Sequence, residues 1–98
     1  MASQAWKRHE LRVARALGGE RNGPNPGSDV VGTPFAVEVK RMKRLSLRAD
    51  HLEQARSQGK VEGKPWLLVI ATHNDAHPIV VMDFKDFAEF ARITQVEG

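Results

Sequence analysis

The chain has 98 residues, enough for one hydrophobic core and too few for a separate recognition module, so we expect a single domain over residues 1–98. It contains no cysteine, which excludes disulfides, thiolate zinc sites and cysteine nucleophiles and is compatible with a reducing cytoplasm. No apolar stretch is long enough to span a membrane, so we expect a cytoplasmic protein without a membrane partner.

The first predicted element is a helix over residues 3–17, in which Ser3 is the N-cap and Gly18-Gly19 is the stop signal. The following residues, 18–27, are rich in glycine, asparagine and proline and are predicted to form a loop. This loop contains Arg21 and is a candidate substrate-contacting segment. The apolar stripe of the helix consists of Trp6, Val13 and Leu17.

Glu10 occupies the helical turn between these apolar residues and places a carboxylate on the face that should be buried. Burying a charge without a partner costs several kcal/mol, so we expect Glu10 near a cation, a metal ion or water in a cleft. The alternative is that Glu10 lies at the edge of the stripe and pairs with Lys7 or Arg8. Periodicity alone does not choose between the two.

Two short strands are predicted next, at residues 29–31 and 35–41, joined by a Gly-Thr-Pro turn that should reverse the chain. Because side chains alternate along a strand, Glu38 and Lys40 share one face of the second strand. In an antiparallel hairpin Asp29 would lie at the start of the neighbouring strand. Its carboxylate would then meet that of Glu38.

Two carboxylates beside an ammonium group suit the hydrolysis of a phosphodiester. Hard oxygen ligands favour Mg²⁺ or Mn²⁺, which lowers the pKa of a bound water and neutralises the phosphate. The ammonium group of Lys40 would orient that water or stabilise developing negative charge. The alternative interpretation of the same pattern is a solvated strand face with an ion pair.

The second half of the chain completes the pattern of elements. Residues 46–58 are predicted to form a helix that ends at Gly59. The near-continuous apolar run at 66–72 predicts a central strand covered on both faces, and a shorter strand is predicted at 79–82. A final helix is predicted after Asp83, its N-cap, to about residue 93, with an apolar side that consists of Phe84, Phe87, Ala88 and Ala91.

Charge is divided unevenly along the sequence. Residues 1–64 hold 13 Lys/Arg and 7 Asp/Glu, a net charge of +6, whereas residues 65–98 hold 2 and 5, a net charge of −3. The overall charge of +3 is modest for a nucleic-acid-binding protein, but its concentration around the predicted site favours contact with a polyanion. The candidate phosphate contacts are Arg8, Arg12, Arg15, Arg41, Lys43, Arg44 and Arg48.

Ser28-Asp29 together with Glu38-Val39-Lys40 resembles the split active-site motif of the PD-(D/E)xK nuclease superfamily, with serine where proline is nominal. The resemblance implies an α/β fold with a restriction-endonuclease-like core of α-β-β-β-α-β type, a mixed central sheet flanked by helices. Small phage-encoded and archaeal Holliday-junction-resolvase-type nucleases are the most similar in pattern. The segments that carry this likeness are residues 43–55, 63–65, 80–82 and 86–87.

The resemblance implies a metal-dependent DNA endonuclease, phage- or prokaryote-encoded. The implied ligands of Mg²⁺ or Mn²⁺ are Asp29, Glu38, the backbone carbonyl of Val39 and Glu10. Lys40 would position or polarise the water, and Gln54 would contact the water or the phosphate. Glu53 and Gln58 compete with Gln54 for that role, and a solvated surface position is the alternative for all three.

The resemblance also implies two partners, branched or double-stranded DNA and a second copy of the chain. A two-fold homodimer is a natural way for so small a protein to cut both strands symmetrically. The candidates for the interface are Leu45 or Leu47, the final helix, or Trp66, and no sequence feature selects among them.

Several alternatives stay open at this point. A resolvase is not separated from a generic nicking or duplex endonuclease of the same superfamily. Outside catalysis, the chain would be a non-catalytic nucleic-acid-binding module, or a structural or regulatory partner in a larger phage or restriction complex. Binding alone needs no acidic residues amid a basic patch, and this favours the enzyme.

The four histidines are expected to be solvated rather than to hold zinc. His73 and His77 would face the same way only on a helix, and Asn74-Asp75 and Pro78 indicate a turn there.

Overall fold

A computed structural model describes the backbone of residues 2–73 and 77–97 and the side chains of residues 7–73 and 77–94. Within these ranges, the elements in chain order are α1 (Ala2–Leu17), β1 (Glu20–Arg21), β2 (Val30–Val31), β3 (Ala36–Met42), α2 (Ala49–Glu62), β4 (Trp66–Thr72), β5 (Ile79–Met82) and α3 (Phe84–Glu97). No helix among the described residues is long and apolar enough to cross a bilayer.

The five strands form one mixed sheet in the order β1-β2-β3-β4-β5. Neighbouring strands are antiparallel except β3 and β4, which run parallel along their whole length with Glu38 beside Leu68. A parallel pair needs a crossover connection, and α2 provides it. The mixed sheet with flanking helices confirms the α/β fold class.

The core lies on both faces of β4, as its continuous apolar run predicts. On one face Leu67 and Val69 pack with Val13 and Ala14 of α1. On the other face Leu68 and Ile70 join a cluster with Ala55 of α2. Trp66 also belongs to the second cluster and lies under the guanidinium of Arg56, 5.7 Å from the ring centre, so its prediction as an exposed interface residue is wrong.

Strand β1 was not predicted from the sequence. It consists of two charged residues, which carry no apolar alternation, and it forms because Glu20 pairs with Val31 and Arg21 with Val30 of β2. Gly19 makes this approach possible, since a Cβ atom there would lie 2.4 Å from the carbonyl oxygen of Val31. With β1 included, the order up to β4 is α-β-β-β-α-β.

The predicted end of α2 at Gly59 is wrong. The helix begins at Ala49, later than expected, and continues to Glu62, with Gly63 in the left-handed conformation as its C-cap. Gly59 lies buried inside the helix, where a Cβ atom would be 2.9 Å from the Lys64 carbonyl oxygen and 3.2 Å from Trp66 Cβ. Its glycine therefore allows close packing against the start of β4 rather than ending the helix.

The two outer helices depart from prediction at particular residues. Helix α1 includes Ala2, so Ser3 lies inside it rather than at the N-cap, and Leu17 is exposed rather than in the core. The side chain of Trp6 lies outside the described side chains. Helix α3 is capped as predicted, because Asp83 Oδ1 accepts the N–H of Lys85 at 2.9 Å, but its apolar side faces solvent.

Candidate active site

The β2–β3 hairpin brings the carboxyl groups of Asp29 and Glu38 together. Val30 pairs with Val37, which sets Asp29 at the entrance to β2 opposite the middle of β3. The Asp29 N–H donates to the Val37 carbonyl at 2.9 Å, and Asp29 Oδ2 accepts the Val39 N–H at 2.7 Å. Both bonds come from the β3 backbone, so the position of the first carboxylate is defined relative to the strand that carries the second.

Glu38 is 3% exposed, although it is a charged residue in the middle of a strand. Burial and the neighbouring Asp29 carboxylate raise the pKa of Glu38 to about 8, and the ammonium of Lys40 opposes that shift. A buried acid whose ionisation is opposed by a neighbouring carboxylate forms a site that a cation would stabilise.

Of the three α2 residues that are candidates for contacting the water or the phosphate, Gln54 is the one that reaches the β2–β3 hairpin. Its Nε2 donates to Glu38 Oε2 at 3.4 Å from the facing turn of α2. Glu53 is exposed, and Gln58 donates instead to Glu62. Of the three residues that compete on sequence grounds, Gln54 is therefore the one placed against the paired carboxylates.

Glu10 is 1% exposed, and Arg21 is its partner, with Nε donating to Oε1 at 2.8 Å. Glu10 is therefore buried near a cation, and the alternative of a position at the edge of the stripe paired with Lys7 or Arg8 is wrong, because the salt bridge comes from β1. Burial raises the pKa of Glu10, Arg21 opposes the shift, and the adjacent Asp29 carboxylate adds to it. Glu10 thus lies beside the Asp29 carboxylate, and the guanidinium of Arg21 offsets its negative charge.

Sequence reasoning missed the role of Arg21. It assigned this residue to a substrate-contacting loop, whereas the guanidinium is engaged with Glu10 and is only partly exposed. A carboxylate on the buried side of α1 indicates that a cation must lie nearby, but the sequence of the helix does not identify the residue that provides it. Only the pairing of β1 with β2 brings residue 21 next to residue 10.

The candidate phosphate contacts all lie at the surface, on α1 and on the segment that leaves β3 after Lys40. Arg48 is engaged with Asp50 at 2.9 Å, a salt bridge between two largely exposed side chains. The positive charges of Arg41 on β3 and Arg12 on α1 both oppose protonation of His9 and so contribute to lowering its pKa. The exposed residues of the set are Arg8, Arg12, Arg15, Arg41, Lys43, Arg44 and Arg48.

Two of the histidines are less solvated than expected. Burial, with Arg41 and Arg12, lowers the pKa of His9, and burial also lowers that of His51, which faces Lys40 and Arg48. His73 and His77 are exposed. In the described part of the chain no group of three or more histidine, cysteine or acidic side chains is arranged to hold a metal ion.

The donor set nevertheless fits Mg²⁺ or Mn²⁺. Magnesium is commonly bound by one or two carboxylates while it retains several waters, so a cage of three side chains is not required. Asp29 and Glu38 supply hard oxygens at one point, and their mutual repulsion is what a divalent cation would offset. Among the expected donors, Glu10 touches Asp29 but already carries a salt bridge.

Comparison with known proteins bears on the fold. No family model and no curated protein matches the chain. Among solved structures it is similar to Hjc of Archaeoglobus fulgidus, a Holliday junction resolvase from an archaeal hyperthermophile, with a TM-score of 0.59. The match covers 84% of this chain and 73% of that chain. The fold is of the restriction-endonuclease-like type. At 23% identity the likeness establishes architecture, and the activity has to be argued from the residues.

Proposed function

We propose that this chain is a metal-dependent DNA endonuclease that hydrolyses phosphodiester bonds and selects branched DNA, as a Holliday junction resolvase does. The observation that carries the proposal is the proximity of two carboxyl groups, the half-buried Asp29 and the buried Glu38, on a hairpin that also presents Lys40. The likeness to Hjc supports it, because the hairpin lies in the same kind of fold.

The residues divide the chemistry between them. Mg²⁺ or Mn²⁺, held by Asp29, Glu38 and the Val39 carbonyl, would supply a water of lowered pKa and neutralise charge on the phosphate. The ammonium of Lys40 orients the attacking water or stabilises negative charge as it develops.

Two further side chains complete the proposed site. Gln54 hydrogen-bonds Glu38 and presents its amide to the water or the scissile phosphate. Glu10, held by Arg21, lies against Asp29 and would help to hold the metal.

DNA is the partner that suits the surface beside this site. Exposed basic side chains lie on α1 and along residues 41–48, directly after Lys40 in the chain, where they would contact phosphates of either strand. Such contacts recognise the shape of the backbone rather than base sequence. A structure-selective enzyme uses this kind of recognition, since branched DNA differs from duplex DNA in the path of its phosphates.

The second partner in the proposal is another copy of the chain. Helix α3 exposes several large apolar side chains, which no other element of the described structure covers extensively. Leu45 and Leu47 are also exposed, but they lie in an irregular segment next to the basic residues. We therefore place the two-fold interface on the exposed apolar residues of α3, which are Phe84, Phe87, Phe90 and Ile93.

The test is cleavage of matched four-way junction, flap, single-stranded and linear duplex DNA in Mg²⁺, Mn²⁺ or EDTA. Wild type is compared with Glu38→Gln and with Glu53→Gln, which makes the same chemical change at an exposed position of α2. Metal-dependent cutting that only Glu38→Gln loses supports the enzyme, and preference for the junction supports a resolvase. Equal cutting of all duplexes would favour a general endonuclease. Binding without cutting would favour a non-catalytic module.

A further inference from the structure

Glu62, at the end of α2, reaches across to the residue that precedes Asp29. Its Oε2 accepts the backbone N–H of Ser28 at 3.1 Å and also accepts the Ser28 hydroxyl. Gln58, one turn earlier on the same helix, donates its Nε2 to the same oxygen. Although burial alone would raise it, these donors hold the pKa of Glu62 below its usual range, so it remains a carboxylate at neutral pH.

Ser28 is fixed from two sides as a result. It is 1% exposed, and its carbonyl oxygen accepts Asn22 Nδ2 at 2.9 Å while its N–H and hydroxyl are held by Glu62. The contact with Glu62 spans 34 residues of sequence, so it is a tertiary restraint rather than a local turn. The backbone N–H and C=O of Ser28 and its hydroxyl are therefore all hydrogen-bonded. These bonds fix the direction in which the chain enters Asp29, the next residue.

Helix α2 consequently touches the candidate site at two points. Gln54 contacts Glu38 on β3, and Glu62, about two turns later, contacts Ser28 at the entrance to β2. One rigid element thereby sets the separation between the two strand positions that carry the carboxylates. A restraint of this kind is needed because Asp29 and Glu38 repel each other when both are ionised.

We infer that Glu62 is a positioning residue of the proposed nuclease, which holds Ser28 so that the Asp29 carboxylate stays against Glu38 in the geometry that receives the metal. This inference rests on the proposed function. Serine at position 28 is part of the arrangement, since proline, the nominal residue of the motif, has no N–H to donate and no hydroxyl. In this chain the hydrogen bonds to α2 take the place of the restricted backbone of proline.

The experiment measures Mn²⁺ affinity directly, by calorimetry on the protein without DNA, together with cleavage as a function of metal concentration. We expect Glu62→Ala to weaken Mn²⁺ binding by about 10- to 100-fold, as loss of a group that orients a metal ligand commonly does. Glu62→Gln keeps an acceptor oxygen and should recover a large part of the affinity. Glu53→Ala, on the exposed side of α2, is the matched control and should bind as wild type does.

A merely structural role would give a different result. Glu62→Ala would then lower the thermal unfolding temperature but leave the Mn²⁺ dissociation constant of the folded protein unchanged, and that outcome would overturn the inference. If Glu62→Ala does not fold, Ser28→Ala takes its place, because it removes only the hydroxyl. Wild-type Mn²⁺ affinity in both Ser28→Ala and the Ser28→Ala/Glu62→Gln double variant would also overturn it.

Failure of this inference is distinguishable from failure of the proposed function. If wild type binds Mn²⁺ and cuts DNA while the Glu62 variants match it, the nuclease stands and the positioning role is wrong. If wild type neither binds Mn²⁺ nor cuts any substrate, the proposed function itself fails and the inference falls with it.

Discussion

The Asp29 carboxylate accepts a hydrogen bond from the backbone N–H of Val39, at 2.7 Å. Val39 follows Glu38 on β3, so the backbone that holds one acidic side chain also carries the other. This bond attaches the Asp29 side chain to the β3 backbone, even though Asp29 itself lies at the entrance to β2. The hairpin backbone thus fixes the spacing between the two carboxylates together with the contacts from α2, and conservative changes to either acid should remove activity before they unfold the protein.

Asp29→Asn is expected to abolish cleavage while the protein stays folded. The amide oxygen can still accept the Val39 N–H, but the negative charge that would bind the metal is lost. We expect at least about a 100-fold fall in cleavage, because mutation of a residue that only orients a metal ligand already lowers metal affinity or activity by up to that factor. Junction binding should be unchanged or tighter, since a negative charge near phosphate is gone. Cleavage assays and gel shifts check this, with Asp86→Asn on α3 as the control; undiminished cleavage by Asp29→Asn would contradict the site.

Glu38 should make the metal-free protein less stable as pH rises. Its folded pKa of about 8 lies above the ordinary value of 4.5, so the folded state binds the proton more tightly than the unfolded state. The contribution of this group to stability is fully present below pH 4.5 and is lost as pH rises through 8. Glu38→Gln removes the titration and should be more stable than wild type at pH 8 by about 0.5–2 kcal/mol.

Urea unfolding of wild type and Glu38→Gln at pH 5 and pH 8, both in EDTA, checks this expectation. The difference between the two proteins isolates the one carboxyl group, because every other titrating residue is shared. It should be larger at pH 8 than at pH 5, and Mg²⁺ should reduce it by stabilising wild type alone. If Glu38→Gln were less stable than wild type at pH 8, ionisation of Glu38 would not lower the free energy of unfolding, and the expectation would be wrong.

Arg44→Ala should weaken DNA binding by the loss of one phosphate contact. Arg44 is exposed in the basic segment after β3. Its removal should lower the slope of log K against log salt concentration by about 1 and affect all sequences alike. Fluorescence anisotropy over a salt series measures both effects. Lys85→Ala, which removes a positive charge from α3, is the control, and an equal loss in that variant would refute a localised DNA surface.

Leu68→Ala should chiefly reduce stability. Leu68 has no exposed surface and lies at the centre of the cluster between β4 and α2, so its truncation leaves a cavity. We expect a loss of about 2–5 kcal/mol in the free energy of unfolding. Val61→Ala, at an 81% exposed position of α2, should change it by no more than about 0.5 kcal/mol. If chemical denaturation showed that Leu68→Ala and Val61→Ala lower the free energy of unfolding equally, Leu68 would not belong to the core.

Phe90→Asp should convert the proposed dimer into a monomer. Phe90 lies on the apolar side of α3 and is 57% exposed, so in an isolated chain a charge there has little to disrupt. In a two-fold interface the same residue is buried twice, and two unpaired carboxylates are costly. Sedimentation analysis should give a dimer for wild type and for Leu45→Ser and a monomer for Phe90→Asp. A monomeric wild type at micromolar concentrations would remove the interface from the proposal.

The success of sequence analysis differed from element to element for identifiable reasons. Strands β4 and β5 have the predicted bounds, because their apolar runs are bordered by glycine and proline signals. Gly59 misled the prediction of α2, since a glycine that permits close packing looks the same in sequence as one that ends a helix. The antiparallel hairpin was predicted from its turn, and so was the approach of Asp29 to Glu38 that the hairpin produces.

What the sequence determined by itself about this protein is local: which residues alternate on β3, where the apolar strand lies, and that α1 carries a carboxylate on its buried side. These features depend on periodicity and on signals a few residues long. The tertiary structure alone decided which distant groups meet. Arg21 reaches Glu10 only because β1 pairs with β2, and Glu62 reaches Ser28 only because α2 crosses the sheet. Such contacts join residues far apart in the chain, and no local pattern specifies them, because their partners are chosen by the packing of whole elements.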